Sequence, residues 1–85
     1  MKHITYPTVG TCSKFIELEA DDNRIITDLN VIGGCNGNLK GIGILVKGMS
    51  LAEAKAKLRG ITCGAKSTSC PDQISYAIEE LEKVY

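Results

Sequence analysis

The chain has 85 residues, and its ten basic side chains balance ten acidic ones. A chain of this length has room for one domain, which we expect to span residues 1–85. A net charge of zero supplies no field that would attract a phosphate backbone or an anionic membrane, so neither nucleic acid nor membrane is an expected partner. The amino terminus lacks the apolar run of a signal peptide, which predicts a cytoplasmic protein.

The first part of the chain predicts strands. Residues 3–6 predict a short edge strand that is closed by Pro7, because proline cannot donate a hydrogen bond to a β-ladder. Residues 13–20 alternate between two faces with the period of two that is typical of a half-buried strand. The apolar face of that strand consists of Ile16, Leu18 and Ala20.

A hairpin is expected next. Residues 24–32 are rich in β-branched side chains and follow a turn at residues 21–23, so they predict a third strand that pairs with the second. The open end of this hairpin lies near Cys12 and Cys35. Strand pairing therefore predicts that two cysteines distant in sequence come together.

The middle of the chain predicts a loop and then a helix. Residues 33–38 contain glycine and asparagine at a density that suits a loop with exposed backbone N–H groups, which can surround an anionic centre. Residues 39–47 have apolar side chains at helical spacing, although Gly41 and Gly43 weaken the helix prediction by about 1 kcal/mol each.

Two further helices have clear start signals. Residues 50–53 form a capping box, and the helix that begins there is expected to end at Gly60, over residues 50–59. Pro71 suits the first turn of a last helix over residues 71–84, whose apolar stripe consists of Ile74, Ala77, Ile78, Leu81 and Val84. Together these elements predict an α/β (α+β) fold in two layers, with about three antiparallel strands covered on one face by about three helices.

The four cysteines are the candidate site: Cys12, Cys35, Cys63 and Cys70. In a reducing compartment, cysteines serve as thiolate ligands more often than as structural disulfides. Each one lies in a segment rich in glycine, asparagine or serine, where ligands can converge. Four thiolates suit a tetrahedral zinc ion or an iron-sulfur cluster, and the softness of the ligands does not choose between the two.

Two alternatives to a metal site remain open. Cys63 and Cys70 are close enough in sequence to form a redox dithiol, and free cysteines are often simply small buried hydrophobic residues. Cys70 is the cysteine least suited to an inert role, because the amino terminus of a helix stabilises a thiolate.

The only histidine, His3, is expected to be solvated rather than a ligand. No phosphate loop or hydrolytic triad is present, so we do not expect the chain to be an enzyme by itself.

Residues 34–41, 60–64 and 68–73 resemble the TSCPD domain, which is named after the residues found here at positions 68–72. The resemblance covers nearly the whole chain. Such domains occur alone, as we expect here, or attached to the adenosylcobalamin-dependent type of ribonucleotide reductase. The resemblance therefore implies a ribonucleotide reductase as a partner and a thiol redox or accessory role in DNA precursor synthesis. It also implies that the chain itself can be classed as a ribonucleoside-diphosphate reductase.

A more distant resemblance is to the U-type iron-sulfur cluster scaffold. Cys12, Cys35 and Cys70 fall at the positions of that scaffold's ligands, which implies an iron-sulfur assembly protein as a partner. However, Lys14 and Ser69 replace two ligand-capable residues of the scaffold, and Cys63 is additional. An all-cysteine site is therefore favoured over a labile assembly scaffold. In order of preference, the sequence predicts a metal or cluster binding module, a thiol redox partner, or a structural or interaction domain.

Overall fold

A computed structural model of the chain describes residues 1–11, 13–33, 36–62, 64 and 67–85. Three strands precede three helices, and this confirms the predicted α+β class. The elements are β1 (Lys2–Pro7), β2 (Ser13–Ala20), β3 (Ile26–Gly33), α1 (Asn36–Val46), α2 (Leu51–Leu58) and α3 (Cys70–Glu82). The strands form one antiparallel sheet in the order β1-β2-β3.

The predicted hairpin between β2 and β3 is confirmed. Its turn is built by Asp21, whose Oδ1 accepts hydrogen bonds from the backbone N–H groups of Asn23 at 2.9 Å and Ile25 at 3.0 Å. An aspartate side chain that accepts hydrogen bonds from the backbone of the residues that follow it forms an Asx-turn, which mimics a backbone turn. At the other end of the hairpin, Ser13 pairs with Gly33.

A bulge in β3 departs from the simple alternation that the sequence predicts. Ala20 pairs with Ile26 and Glu19 pairs with Asp28, so β3 has one residue more than β2 at this point. The extra residue changes the phase of the strand, and both Ile26 and Leu29 are therefore buried on the same side. Alternation along the sequence cannot reveal a bulge, because it assumes an uninterrupted ladder.

The segment between α1 and α2 also pairs with the sheet. The Ile26 N–H donates to the carbonyl oxygen of Met49 at 2.9 Å, and the Gly48 N–H donates to that of Ile26 at 3.0 Å. Gly48 has a φ of 88°, a conformation that favours glycine. This linker therefore fixes the start of α2 against the start of β3.

Helix α1 begins three residues earlier than predicted, at Asn36, so the expectation of irregular structure over residues 36–38 is wrong. The N–H groups of a first helical turn have no intrahelical acceptor, and glycine and asparagine are consequently tolerated there. Within α1, Gly43 lies directly against β3, since a Cβ atom at this position would be only 2.9 Å from the carbonyl oxygen of Leu29. The glycine that weakened the helix prediction is thus what permits the close packing.

The other two helices follow their predicted start signals. The Ser50 side chain caps α2 by accepting the Glu53 N–H at 3.1 Å. The stripe of α3 is fully buried apart from Val84, which is 50% exposed because the helix ends before it, at Glu82. The core consists of Ile16, Leu18, Ala20, Ile26, Leu29, Val46, Leu51, Ala54, Ile74, Ala77, Ile78 and Leu81. In the part of the chain described, no helix has the length and apolar character needed to cross a membrane.

Candidate metal site at the start of the last helix

Residues 68–72 form the cap that starts α3. Ser69 has extended backbone angles, and its hydroxyl accepts the Asp72 N–H at 3.2 Å, as an N-cap serine does. The same hydroxyl donates to the carbonyl oxygen of Ile61 at 2.6 Å. Pro71 occupies the first turn, where a missing N–H removes no helical hydrogen bond. The segment therefore starts a helix and also holds the preceding loop.

Asp72 joins the end of α2 to the start of α3. Its side chain is buried, and its two oxygens accept the Gly60 N–H at 2.8 Å and the Thr68 hydroxyl at 2.5 Å. Thr68 in turn accepts from the Gln73 amide nitrogen at 3.0 Å, and the Gln73 amide oxygen accepts the Val9 N–H at 3.1 Å. This network connects the loop after β1 with both helices.

Cys70 is a buried free thiol in the first turn of α3. Its Sγ donates a hydrogen bond to the Ser13 hydroxyl at 3.3 Å. Ser13 is itself held by Thr11, whose hydroxyl lies 2.8 Å from the Ser13 hydroxyl, and by Thr8, which donates to the Ser13 carbonyl at 2.6 Å. The start of β2 and the start of α3 therefore meet at the Cys70 thiol.

Three of the four predicted ligands, Cys12, Cys35 and Cys63, lie outside the described residues. Cys70 is described. No group of three or more histidine, cysteine or acidic side chains that could hold a metal occurs among the residues that the structure describes.

Described residues that lie beside the cysteines in the sequence do contact one another. Ser13, which follows Cys12, pairs with Gly33, two residues before Cys35, and also contacts Cys70. Ile61, two residues before Cys63, accepts the Ser69 hydroxyl.

Two lysines near the cysteines in sequence, Lys40 and Lys66, could offset the charge of a thiolate centre. Lys66 lies outside the described residues, whereas Lys40 is exposed on α1. An exposed ammonium is well solvated, and it offsets a buried charge weakly. Lys40 would therefore contribute little to the stability of a thiolate centre.

Sequence reasoning missed the polar groups around Cys70. Ser13, Asp72 and Gln73 are each buried, yet all three were passed over in favour of the cysteines. The pattern Ser69-Cys70-Pro71-Asp72 carried a usable signal, since a serine followed three residues later by an acidic residue is a helix-start signature. No local signal marks Ser13, because its role depends on a contact across 57 positions in sequence.

A shallow cleft opens beside this network, between the end of β1 and α3. Tyr6 and Tyr76 flank it, and Arg59 stacks on the Tyr76 ring with 4.2 Å between its guanidinium carbon and the ring centroid. Partial burial raises the pKa of Tyr6, and the charges of Glu80 and Glu79 raise it further. Arg59 opposes this effect and lowers the pKa. The cleft thus favours the neutral form of the Tyr6 phenol.

The sheet, the three helices and the hydroxyl-rich cap around Cys70 define a small α+β domain with a buried thiol where β2 meets α3. Residues 2–82 match the family model of the TSCPD domain, and the chain belongs to the TSCPD domain family. Searches of curated proteins and of solved structures gave no significant match.

Proposed function

We propose that this chain binds one zinc ion or one iron-sulfur cluster through the thiolates of Cys12, Cys35, Cys63 and Cys70. The proposal rests on one observation above all: the described residues next to these cysteines come together at the start of α3. The pairing of Ser13 with Gly33 and the contact of Ser13 with Cys70 both support it. Four thiolates are the donor set that a structural zinc ion or a cluster prefers.

The surroundings of Cys70 suit a thiolate ligand. Ser13 accepts from the thiol at 3.3 Å, but a serine hydroxyl can rotate and donate instead. Thr11 lies 2.8 Å from Ser13 and can then donate to the Ser13 oxygen. The first turn of α3 adds the positive end of the helix dipole. Such outer hydrogen bonds orient a metal ligand and stabilise its charge.

Elemental analysis of protein purified without oxygen tests this proposal directly. We expect about one zinc ion, or iron and sulfide in the amounts of one cluster, per chain. Replacing Cys35 or Cys70 by serine should remove most of the metal, because a hydroxyl is a poor substitute for a thiolate. Thr62→Ala is the matched control, since Thr62 is an exposed neighbour of Cys63 without a thiol and its loss should leave the metal content unchanged.

Two results would contradict the proposal. One is a metal-free protein whose thermal unfolding is the same in the wild type and in both serine variants. The other is a reversible disulfide between Cys63 and Cys70 in a protein without metal, detected by mass spectrometry before and after reduction. That second result would support the thiol redox alternative instead.

A further inference from the structure

The carboxyl-terminal half of helix α1 exposes apolar side chains at the surface of the domain. From Gly41 to its end at Val46 it contains no polar side chain. Ile44 is 67% exposed and Leu45 is 71% exposed, while Val46 faces the core. Adjoining exposed apolar side chains in a stretch without polar ones often mark a contact with a partner. The outer face of α1 is therefore a candidate docking surface.

Ile44 and Leu45 form an exposed ridge along α1, and a groove lies on each side of it. One groove, of about 150 Å³, runs between α1 and α2 and has a floor of Ile42, Leu45, Met49 and Leu58. The other, of about 390 Å³, lies between α1 and β3, beside Ile44. Side chains of a second helix can pack into such grooves, on either side of the ridge.

The charge around these grooves is positive. Residues 36–59 carry five cationic side chains against the single carboxylate of Glu53, so the rest of this neutral chain has a matching excess of four negative charges. Lys55 and Arg59 are engaged by α3, through Glu82 at 2.7 Å and Glu79 at 3.6 Å. The remaining cations, Lys40, Lys47 and Lys57, border the two grooves and outnumber the one carboxylate among the lining residues, that of Asp28.

The internal ion pairs at the groove edges are weak. Lys57 lies 3.6 Å from Glu53, and Lys47 lies 3.9 Å from Asp28; these four side chains are at least half exposed. Exposed pairs of this kind contribute about 0–1 kcal/mol. They can therefore exchange for carboxylates of a partner at little cost.

We propose that the α1–α2 face binds an amphipathic helix of a partner protein, with leucine-like anchors in the groove and glutamates or aspartates against the lysines. A symmetric contact between this face and that of a second copy fits less well, because α1 has no carboxylate to set against the lysine of another α1. An anionic bilayer also fits less well. The surface is grooved rather than flat, and it offers only Ile44 and Leu45 for insertion.

Binding of a designed peptide to the whole chain tests the proposal. The probe is a helical peptide of about 18 residues, or five turns, with leucines at helical spacing and glutamates on both flanks. The matched peptide has lysine in place of each glutamate. We expect the acidic peptide to bind, to weaken as salt is raised, and to shift the backbone NMR signals of α1 and α2, while the basic peptide does not bind.

Three variants locate the binding surface. Leu45→Gln should weaken binding of the acidic peptide at least about tenfold, because it removes an exposed apolar anchor while keeping a good helix former. The double change Lys40→Glu and Lys47→Glu should reduce the salt dependence and the affinity together. Val84→Gln is the matched control, since Val84 is also an exposed apolar residue but lies beyond α3. Each variant should keep its thermal unfolding temperature within a few degrees.

Several outcomes would overturn the proposal. Equal binding of both peptides, or wild-type affinity in Leu45→Gln, would show that the charge or the ridge is not used. Concentration-dependent dimers that Leu45→Gln abolishes would assign the surface to a second copy. Binding to phosphatidylserine vesicles but not to the acidic peptide would assign it to a membrane. None of these outcomes depends on whether the chain binds metal, so this proposal and the proposed function can fail separately.

Discussion

The carboxylate of Asp72 is buried, and both of its oxygens accept hydrogen bonds from groups on different segments. Hydrogen bonds to a charged acceptor are stronger than those between neutral groups, and the first turn of α3 favours a negative charge. The aspartate of the TSCPD motif therefore has a structural role that can be separated from any role of Cys70. Changes at the two positions should have different consequences.

Replacing Asp72 by asparagine should lower the free energy of unfolding by about 1–3 kcal/mol. An amide keeps one acceptor oxygen, but its NH₂ group must face either the Gly60 N–H or the Thr68 hydroxyl, which both donate in the wild type. Asp22→Asn is the control, because the Asp22 side chain is 89% exposed, and its effect should stay within about 0.5 kcal/mol. Urea denaturation of both variants measures the difference. Equal effects would contradict the structural role.

Tyr85 provides a pH-dependent test at the residue scale. Its hydroxyl donates to the Asp21 carbonyl at 2.5 Å, and its ring lies under Arg24. Partial burial raises the pKa of Tyr85, the charges of Asp21 and Asp22 raise it further, and Arg24 lowers it. Because the pKa is higher in the folded state, the stabilisation is complete below the unfolded value of about 10 and is lost as the pH rises through the folded value.

Tyr85→Phe should therefore act in two ways. At pH 7 it should cost about 0.5–1.5 kcal/mol, because the hydrogen bond is lost while the ring contact with Arg24 remains. Between pH 9 and pH 11, roughly the range around the unfolded tyrosine pKa, stability should fall less steeply than in the wild type. Denaturation curves across this range measure both effects. Parallel pH profiles for the two proteins would contradict the assignment of the pKa shift to this site.

At the scale of elements, the packing of α1 against β3 depends on the absence of a side chain at Gly43. A Cβ at Gly43 would lie 2.9 Å from the Leu29 carbonyl oxygen, whereas a Cβ at Gly41 would meet no atom within 4 Å. Both residues belong to the same helix, and Gly41 is exposed. The two glycines consequently offer a matched pair of substitutions.

Gly41→Ala should raise the free energy of unfolding by about 0.5–1 kcal/mol, because alanine favours a helix more than glycine does. Gly43→Ala should lower it by about 1–3 kcal/mol, since the helix must move away from the strand. Thermal and urea unfolding of the two variants test both signs. Stabilisation by both substitutions would contradict the close approach of α1 to β3.

The elements of the fold differ in how far the sequence could predict them. The order of strands and helices followed from periodicity, caps and turns, because those signals are local. The bulge in β3 and the pairing of Met49 with Ile26 did not, since each depends on residues distant in sequence. Around the candidate site, the hairpin predicted that Cys12 and Cys35 come together, and the described residues beside them, Ser13 and Gly33, are paired. The contact of Ser13 with Cys70 could not be predicted, because it requires the packing of α3 on the sheet.

At the scale of the whole molecule, the core is small. The Cα radius of gyration is 11.6 Å, close to the value of about 12 Å expected for a folded chain of this length. So small a core supplies a stability at the lower end of the usual range, about 5 kcal/mol. Binding of a metal to the folded state alone adds to that stability, and structural zinc sites contribute on the order of 10 kcal/mol at neutral pH.

Removing the metal should therefore loosen one end of the domain before the rest. Under the proposed function, the thiolates anchor the segments before β2, after β3 and before α3, and a chelator removes that common anchor. Amide hydrogen exchange should accelerate most at Val9 and Gly60, whose N–H groups bond to Gln73 and Asp72 next to the candidate site.

The amide of Leu18, in the centre of the sheet, is the internal reference, because its side chain is fully buried and its strand has partners on both sides. Its exchange should change less than that of Val9 and Gly60 when chelator is added at neutral pH. Lowering the pH should reproduce the chelator's effect, since protons compete with the metal for the thiolates. Uniform acceleration at all three amides would instead indicate that the metal stabilises the domain as one cooperative unit. Unchanged exchange at all three would contradict a metal anchor at this end of the fold.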